Sequence, residues 1–134
     1  VREVMGAVMR SDIDAEVYTR ALNTHRPLMQ TMYHECFRLN QLDALIFPTT
    51  PITARPIKGS RSVIELNGRE APTFPTYIRN TDPSSNAGIP GISIPANVQE
   101  ESLPVGIELD GPSHSDRQLL SIAREVERVL RNER

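Results

Sequence analysis

The sequence predicts an α/β unit in which short strands are flanked by helices and a long helix ends the chain. Apolar residues recur at helical spacing near both ends of the sequence. The middle contains short apolar runs bounded by Pro and Gly, which are typical of buried strands. Helices on both sides of a strand-rich middle indicate a layered α/β architecture.

The N-terminal part predicts two helices. Ser11 is followed by acidic residues and resembles a helix start, because its hydroxyl can accept from an early N–H and acids suit the positive end of the helix dipole. Asn23 and Thr24 interrupt the apolar periodicity, and Pro27 fits the first turn of a second helix. That second helix is expected to end near Asn40.

The middle of the chain predicts strands. Three apolar runs are interpreted as buried strands, at residues 43–47, 92–94 and 105–109. Two further runs on either side of Asn67-Gly68 predict a small hairpin, because this dipeptide favours a tight two-residue turn. Residues 73–83 are expected to be extended, with a short helical turn at 83–87. Three short strands leave edges that need cover, so we expect this sheet to be part of a larger one.

The C-terminal part predicts an amphipathic helix that begins after Ser115, with Ser115 as its cap and Asp116 in its first turn. Its apolar face is formed by Leu119, Leu120, Ile122, Ala123, Val126, Val129 and Leu130. Charged residues lie largely on the opposite side, so the helix is expected to cover one face of the sheet.

Length and charge limit the classes of function. The 134 residues fit one domain, and we expect residues 1–134 to form a single unit. The net charge of -2 gives no basic surface for nucleic acid, and no apolar run is long enough to cross a membrane. The single cysteine, Cys36, excludes an internal disulfide and favours a cytoplasmic location. The chain begins at Val1 without a signal-peptide pattern, and we expect a processed or truncated product.

No residue pattern predicts a metal ion or a cofactor. The 3 His residues are not spaced as metal ligands, and Cys36 is interpreted as a packing residue. Phosphate-binding and nucleophile-elbow motifs are absent from the sequence. Ser84 and Ser85 lie beside Asp82, but capping of a short helical turn is favoured over a nucleophilic role.

Four segments together resemble the C-terminal region of the amidase signature family, whose members hydrolyse amides. They are D-A-L-I-F-P at 43–48, N-A-G-I-P-G-I-S-I-P at 86–95, L-P-V-G-I-E-L-D-G-P at 103–112 and S-D-R-Q-L-L at 115–120. The run R-N-T-D-P-S-S-N-A-G-I-P is similar to the aryl-amide branch, which includes mandelamide and indoleacetamide hydrolases. Glu108 and Asp110 depart from the family pattern, because they make the last strand more acidic than is usual.

The resemblance implies the C-terminal part of the amidase signature fold, in which these strands extend a mixed sheet. It also implies hydrolysis of a carboxamide, of the aryl-acetamide type, to an acid and ammonia by a Ser nucleophile, a second Ser and a Lys. In the family these residues lie upstream, in and before a Gly/Ser-rich segment that this chain lacks. The only lysine, Lys58, occupies a polar turn. We therefore expect no catalytic residue in this chain and no turnover by the chain alone.

Loops at strand ends are the candidates for substrate binding, because ligands of α/β sheets gather there. Thr49, Thr50 and Pro51 follow the first strand, and Asn80 and Asp82 precede the second. Other roles for these residues are a turn at Thr50 and a helix N-cap at Asp82. The expected partner of this region is a small-molecule amide in the full-length enzyme.

Two other functions stay open at this point. The chain could be a non-catalytic binding or assembly module, or a scaffold part of an amidotransferase-like complex. The bare sheet edges also predict self-association, and therefore a homo-oligomer.

Overall fold

The computed structural model describes residue 6 and residues 14–60, 62–96 and 103–132, and these ranges contain both helices and strands, as predicted. The helices are α1 (Ala15–Arg20), α2 (Arg26–Asn40), α3 (Thr73–Ile78), α4 (Asp82–Ala87) and α5 (Asp116–Asn132). The strands are β1 (Leu45–Pro48), β2 (Val63–Leu66), β3 (Arg69–Pro72), β4 (Gly91–Ala96) and β5 (Val105–Asp110).

A π-helical turn, Ala21–His25, joins α1 to α2 without a break. The interruption predicted at Asn23 and Thr24 is therefore wrong. Pro27 lies in the first turn of α2, as expected. A proline ring crowds the carbonyl four residues earlier, and the wider π turn gives that carbonyl room, so the chain remains helical.

The ends of the first helices are set by local polar contacts. The Asp14 carboxylate caps α1 by accepting from two N–H groups of its first turn, at 2.7 and 3.2 Å. The start predicted at Ser11 lies outside the described residues. Helix α2 ends at Asn40, as predicted, and Gln41 follows in the left-handed conformation that ends many helices.

Two predictions in the second half of the chain are corrected. Residues 73–83, expected to be extended, contain α3 and the start of α4. Pro75 and Pro83 lie in the first turns of these helices, where the missing N–H of proline has little cost. The Ser115 carbonyl accepts from the Leu119 N–H at 2.8 Å, but the buried Ser115 hydroxyl has no hydrogen-bond partner in the described ranges. The predicted side-chain cap at Ser115 is therefore wrong.

Strands β1, β5 and β4 form an antiparallel sheet in that order, with β5 in the centre. Leu45 of β1 and Gly91 of β4 both pair with Asp110, from opposite sides. The predicted hairpin is confirmed, since β2 and β3 pair and the turn residues Asn67 and Gly68 both have positive φ.

Helices cover both faces of this sheet. On one face, α5 forms an apolar cluster with β4 and β5, as predicted for the terminal helix. This cluster comprises Ile94, Leu109, Leu119 and Ala123. On the other face, α2 and α4 form a second cluster that Leu45 of β1 joins, and its buried residues are Phe37, Ala87 and Ile89. Because side chains alternate along a strand, Glu108 and Asp110 face this second side.

Strand β1 is less buried than the sequence predicts. Ile46 remains 61% exposed, although it lies in the middle of an apolar run. Ile46 pairs with Leu109 and therefore lies on the face that α5 covers, but α5 packs on β4 and β5 and β1 is the edge strand beyond them.

Candidate functional site

Segments predicted to bind substrate meet at the C-terminal end of β1. The Asn80 side-chain amide donates to the Pro48 carbonyl at 2.7 Å. Nearby, the Tyr77 hydroxyl donates to the Thr53 carbonyl at 3.0 Å. These two bonds fasten α3 and the segment after it to the end of β1 and the loop that follows, so Asn80 and Thr49 share one end of the sheet.

Thr49 is held against the centre of the sheet. Its N–H donates to the Gly106 carbonyl at 2.9 Å, and its hydroxyl shares a hydrogen bond with the Ser93 hydroxyl. A Cβ on Gly106 would lie 2.7 Å from each of these two hydroxyl oxygens. Gly106 thus makes room for a hydroxyl pair that spans from β1 to β4 across β5.

The remaining predicted residues are placed by local structure. The Thr50 hydroxyl donates to the Ile52 carbonyl at 2.8 Å, which favours its role as a turn residue. Pro51 is half-buried beside it. Asp82 is exposed as the first residue of α4, and the N-cap position belongs to Thr81, so the alternative role of Asp82 as an N-cap is wrong.

A pair of buried carboxyl groups, Glu108 and Asp110, lies on the sheet face that α2 and α4 cover. Asp110 is 1% exposed and Glu108 is 8% exposed. Burial raises the pKa of Asp110, the Ser84 hydroxyl lowers it to a smaller extent, and the charge of Glu108 raises it further. The Ser84 hydroxyl also donates to the Thr81 carbonyl at 3.1 Å, which limits what it can donate to Asp110.

Sequence reasoning did not predict this pair as a site. The signal was present in the alternation V-G-I-E-L-D, which places both acids on one face of a strand. What the sequence could not supply is the cover from α2 and α4, which removes the two carboxyl groups from water.

Two other residues, Cys36 and Lys58, have potentially reactive side chains. Cys36 lines an open apolar groove of about 290 Å³ together with Met29, Met32, Tyr33 and Pro83. Lys58 is exposed in a turn, as predicted.

In the described part of the chain, no group of three or more His, Cys, Asp or Glu residues is arranged to hold a metal ion. No helix among the described residues is long and apolar enough to span a membrane.

The chain is similar to proteins of one family. The profile of the Amidase family matches residues 2–120. Indoleacetamide hydrolase of Rhizobium radiobacter is 49% identical over 113 residues, covering 84% of this chain and 24% of that protein. Mandelamide hydrolase of Pseudomonas putida is 42% identical over 128 residues, covering 94% of this chain and 24% of that protein.

The fold is similar to a solved structure as well. The inhibitor-bound form of a vestigial protein complex, described as revealing the evolutionary origins of an s-triazine catabolic enzyme, superposes with a TM-score of 0.74. It is 28% identical, and the match covers 87% of this chain and 25% of that one.

The chain belongs to the amidase family, which confirms the resemblance that its motifs carry. Its α/β class is confirmed by the structural match. The chain spans about a quarter of the length of the curated relatives it matches.

Proposed function

We propose that this chain is the C-terminal portion of an amidase that hydrolyses carboxamides of the aryl-acetamide type. The reaction consumes water, breaks the carbonyl–nitrogen bond and releases a carboxylic acid and ammonia. The identities of 49% with indoleacetamide hydrolase and 42% with mandelamide hydrolase support this substrate class.

The catalytic residues belong to the part of the amidase fold that this chain does not contain. A serine hydroxyl becomes a useful nucleophile only when a base takes its proton, and a lysine serves as that base only where its amine is kept neutral. Lys58 is exposed in a turn, and this supports a base from elsewhere. The Ser-Ser-Lys set is therefore assigned to the segment upstream of this chain.

This chain completes the sheet and forms one wall of the substrate pocket. The observation that carries the proposal is the hydrogen bond of 2.7 Å from Asn80 to the Pro48 carbonyl. It holds together the segments that contain Thr49, Thr50, Pro51 and Asn80, and the amide substrate is proposed to contact this wall. Asp82, which is exposed two residues beyond Asn80, forms the outer end of the same wall.

Exposed apolar side chains on α2 support a partner for this part of the fold. Leu28, Met32 and Leu39 remain 58%, 71% and 65% exposed. Surfaces of this kind are typical of faces that another element covers. In our proposal the rest of the amidase covers this face, and a homo-oligomer forms through the remaining sheet edge in the cytoplasm.

The proposal is tested by joining this chain to the preceding part of Rhizobium radiobacter indoleacetamide hydrolase in place of the matching segment. We expect the joined protein to release ammonia from indole-3-acetamide and the isolated chain to release none. A folded joined protein without activity would favour the binding or assembly module instead. Ammonia release by the isolated chain that is lost in Lys58→Ala would overturn the upstream assignment.

The pocket wall is tested in the same joined protein. Thr50→Ala and Asn80→Ala are expected to change the KM for indole-3-acetamide relative to that for mandelamide. Thr53→Ala is the matched control, because Thr53 is exposed and contributes its carbonyl, which alanine retains, to the bond with Tyr77. If both wall variants and the control leave the ranking of substrates unchanged, the wall assignment is wrong.

A further inference from the structure

The two buried carboxyl groups converge on one point of the sheet. A Cβ built on Gly91 would lie 2.8 Å from Asp110 Oδ1 and 3.0 Å from Glu108 Oε1. Both oxygens are therefore directed at the space in front of Gly91. Gly91 itself is exposed on the edge strand β4, and this is the side from which another group can approach.

Neither carboxyl group is neutralised within the described part of the chain. Asp110 Oδ1 is buried and has no hydrogen-bond partner there. The ion pairs formed by described residues join Arg to Glu within single helices and involve neither Glu108 nor Asp110. The Ser84 hydroxyl serves Asp110 only in part and leaves Oδ1 without a donor. A buried carboxylate oxygen without a donor is costly, so the arrangement calls for a further donor that comes from outside these residues.

We propose that Glu108 and Asp110 form a binding site for a guanidinium group, which enters over Gly91. A guanidinium carries five N–H donors in one plane and can bond oxygens of two carboxylates at once. Calcium fits less well, because it takes six to eight oxygen ligands and only two carboxyl groups converge here. The guanidinium belongs either to an arginine side chain of another polypeptide segment or to a free guanidino compound.

This site does not depend on the proposed amide hydrolysis. It uses carboxyl groups on the face of β5, whereas the proposed reaction takes its nucleophile and base from upstream. Loss of one proposal would therefore leave the other intact, and the binding measurement below requires no activity.

The test is a titration of the 134-residue chain, labelled with ¹³C at its carboxyl groups, with methylguanidinium chloride. We expect saturable shifts of the Asp110 and Glu108 carboxyl resonances. Tetramethylammonium chloride at equal ionic strength is the control, because it carries the same charge without an N–H donor, and it should leave both resonances in place. Shifts that do not saturate, or that are equal for the two salts, would overturn the proposal without recourse to any variant.

Substitutions locate the site. Glu108→Gln is expected to weaken methylguanidinium binding about tenfold or more, because it replaces a charged acceptor by a neutral one. Glu65→Gln is the matched control, because Glu65 is exposed on β2, and it should leave the affinity unchanged. Equal weakening by both variants would show that methylguanidinium responds only to net charge, and the site would be rejected.

A second arm separates the two sources of the group. The peptide acetyl-Gly-Arg-Gly-amide replaces methylguanidinium in the same titration. Saturable shifts with both probes support an arginine side chain as the natural occupant, and shifts with methylguanidinium alone support a free guanidino compound. If neither probe shifts the resonances, no guanidinium site exists and the proposal is rejected.

Discussion

The side-chain amide of Asn80 donates to the main-chain carbonyl of Pro48 at 2.7 Å, across 32 residues of sequence. Pro48 is the last residue of the edge strand β1, so this bond anchors the helical segment α3–α4 to the end of the sheet. It is also the contact that brings two predicted parts of the pocket wall together.

Asn80→Ala is expected to lower the free energy of unfolding by about 0.5–1.5 kcal/mol, the usual net contribution of one hydrogen bond. The physical reason is that the Pro48 carbonyl loses its side-chain donor. Asn86→Ala is the matched control, since the Asn86 amide donates to the Asp82 carbonyl within a single helix. There the higher helix propensity of alanine offsets the lost bond. Urea unfolding measures both, and equal losses would show that the Asn80 bond does not brace the two segments.

The terminal helix α5 is expected to act as a clamp on the sheet through Leu119. Leu119 is 3% exposed in the first apolar cluster, whereas the adjacent Leu120 is 57% exposed. Leu119→Ala should therefore lower the free energy of unfolding by about 2–5 kcal/mol, because it removes buried contacts and leaves a cavity. Leu120→Ala removes the same atoms from a leucine at an exposed position. It should lower the free energy of unfolding by less than about 0.5 kcal/mol. Thermal unfolding of both variants checks this, and a comparable loss from Leu120→Ala would place the clamp elsewhere.

The sequence was sufficient for elements whose pattern is local. The helix α5 and the Asn67-Gly68 turn of the hairpin each depend on neighbouring residues, and both are confirmed. The assignment of Leu120 and Val129 to the apolar face of α5 is wrong, because both are exposed.

The pattern placed Pro27 correctly in the first turn of a helix, but it failed at residues 73–83. That segment is predicted to be extended, although Pro75 and Pro83 both lie in first turns that tolerate proline.

The candidate site was only partly accessible from sequence for a different reason. Loops after strand ends could be identified from the strand pattern, and Asn80 does lie against the end of β1. Burial of Glu108 and Asp110 depends on helices that are distant in sequence, so no local pattern distinguishes them from acids on a solvated strand. Tertiary cover decides their chemistry, and it emerges only when the layers are assembled.

The raised pKa of Asp110 predicts a specific dependence of stability on pH. A carboxyl group whose pKa is raised on folding binds its proton more tightly in the folded state. The free energy of unfolding therefore falls as the pH rises from the ordinary Asp pKa of about 3.9 up to the raised value, and this contribution is constant above it. Asp110→Asn should remove this fall, so the variant gains stability relative to the native chain across that interval.

Urea unfolding between pH 3.5 and pH 8, in buffers without guanidinium, measures the difference between the two proteins. The Glu35 carboxyl, whose pKa is lowered by its hydrogen bond with Arg38, acts in the opposite direction, but it is present in both proteins and cancels. Asp82→Asn is the control, because its carboxyl is exposed. A difference curve for Asp110→Asn that is flat with pH would show that Asp110 titrates alike in the folded and unfolded chains.

Gly91 is expected to be required for stability, because two carboxyl oxygens lie close to the position that a side chain would occupy. Gly91→Ala would place a methyl group 2.8 Å from Asp110 Oδ1 and 3.0 Å from Glu108 Oε1, closer than a carbon and an oxygen pack without a shift. We expect the free energy of unfolding to fall by about 1–3 kcal/mol, which is typical of overpacking. Asp110→Ala removes the nearer oxygen, so the double variant should lose less than the sum of the two single variants. A double-mutant cycle of unfolding free energies measures this coupling. Additive losses would show that Gly91 is needed for a reason other than the space taken by the Asp110 carboxyl group.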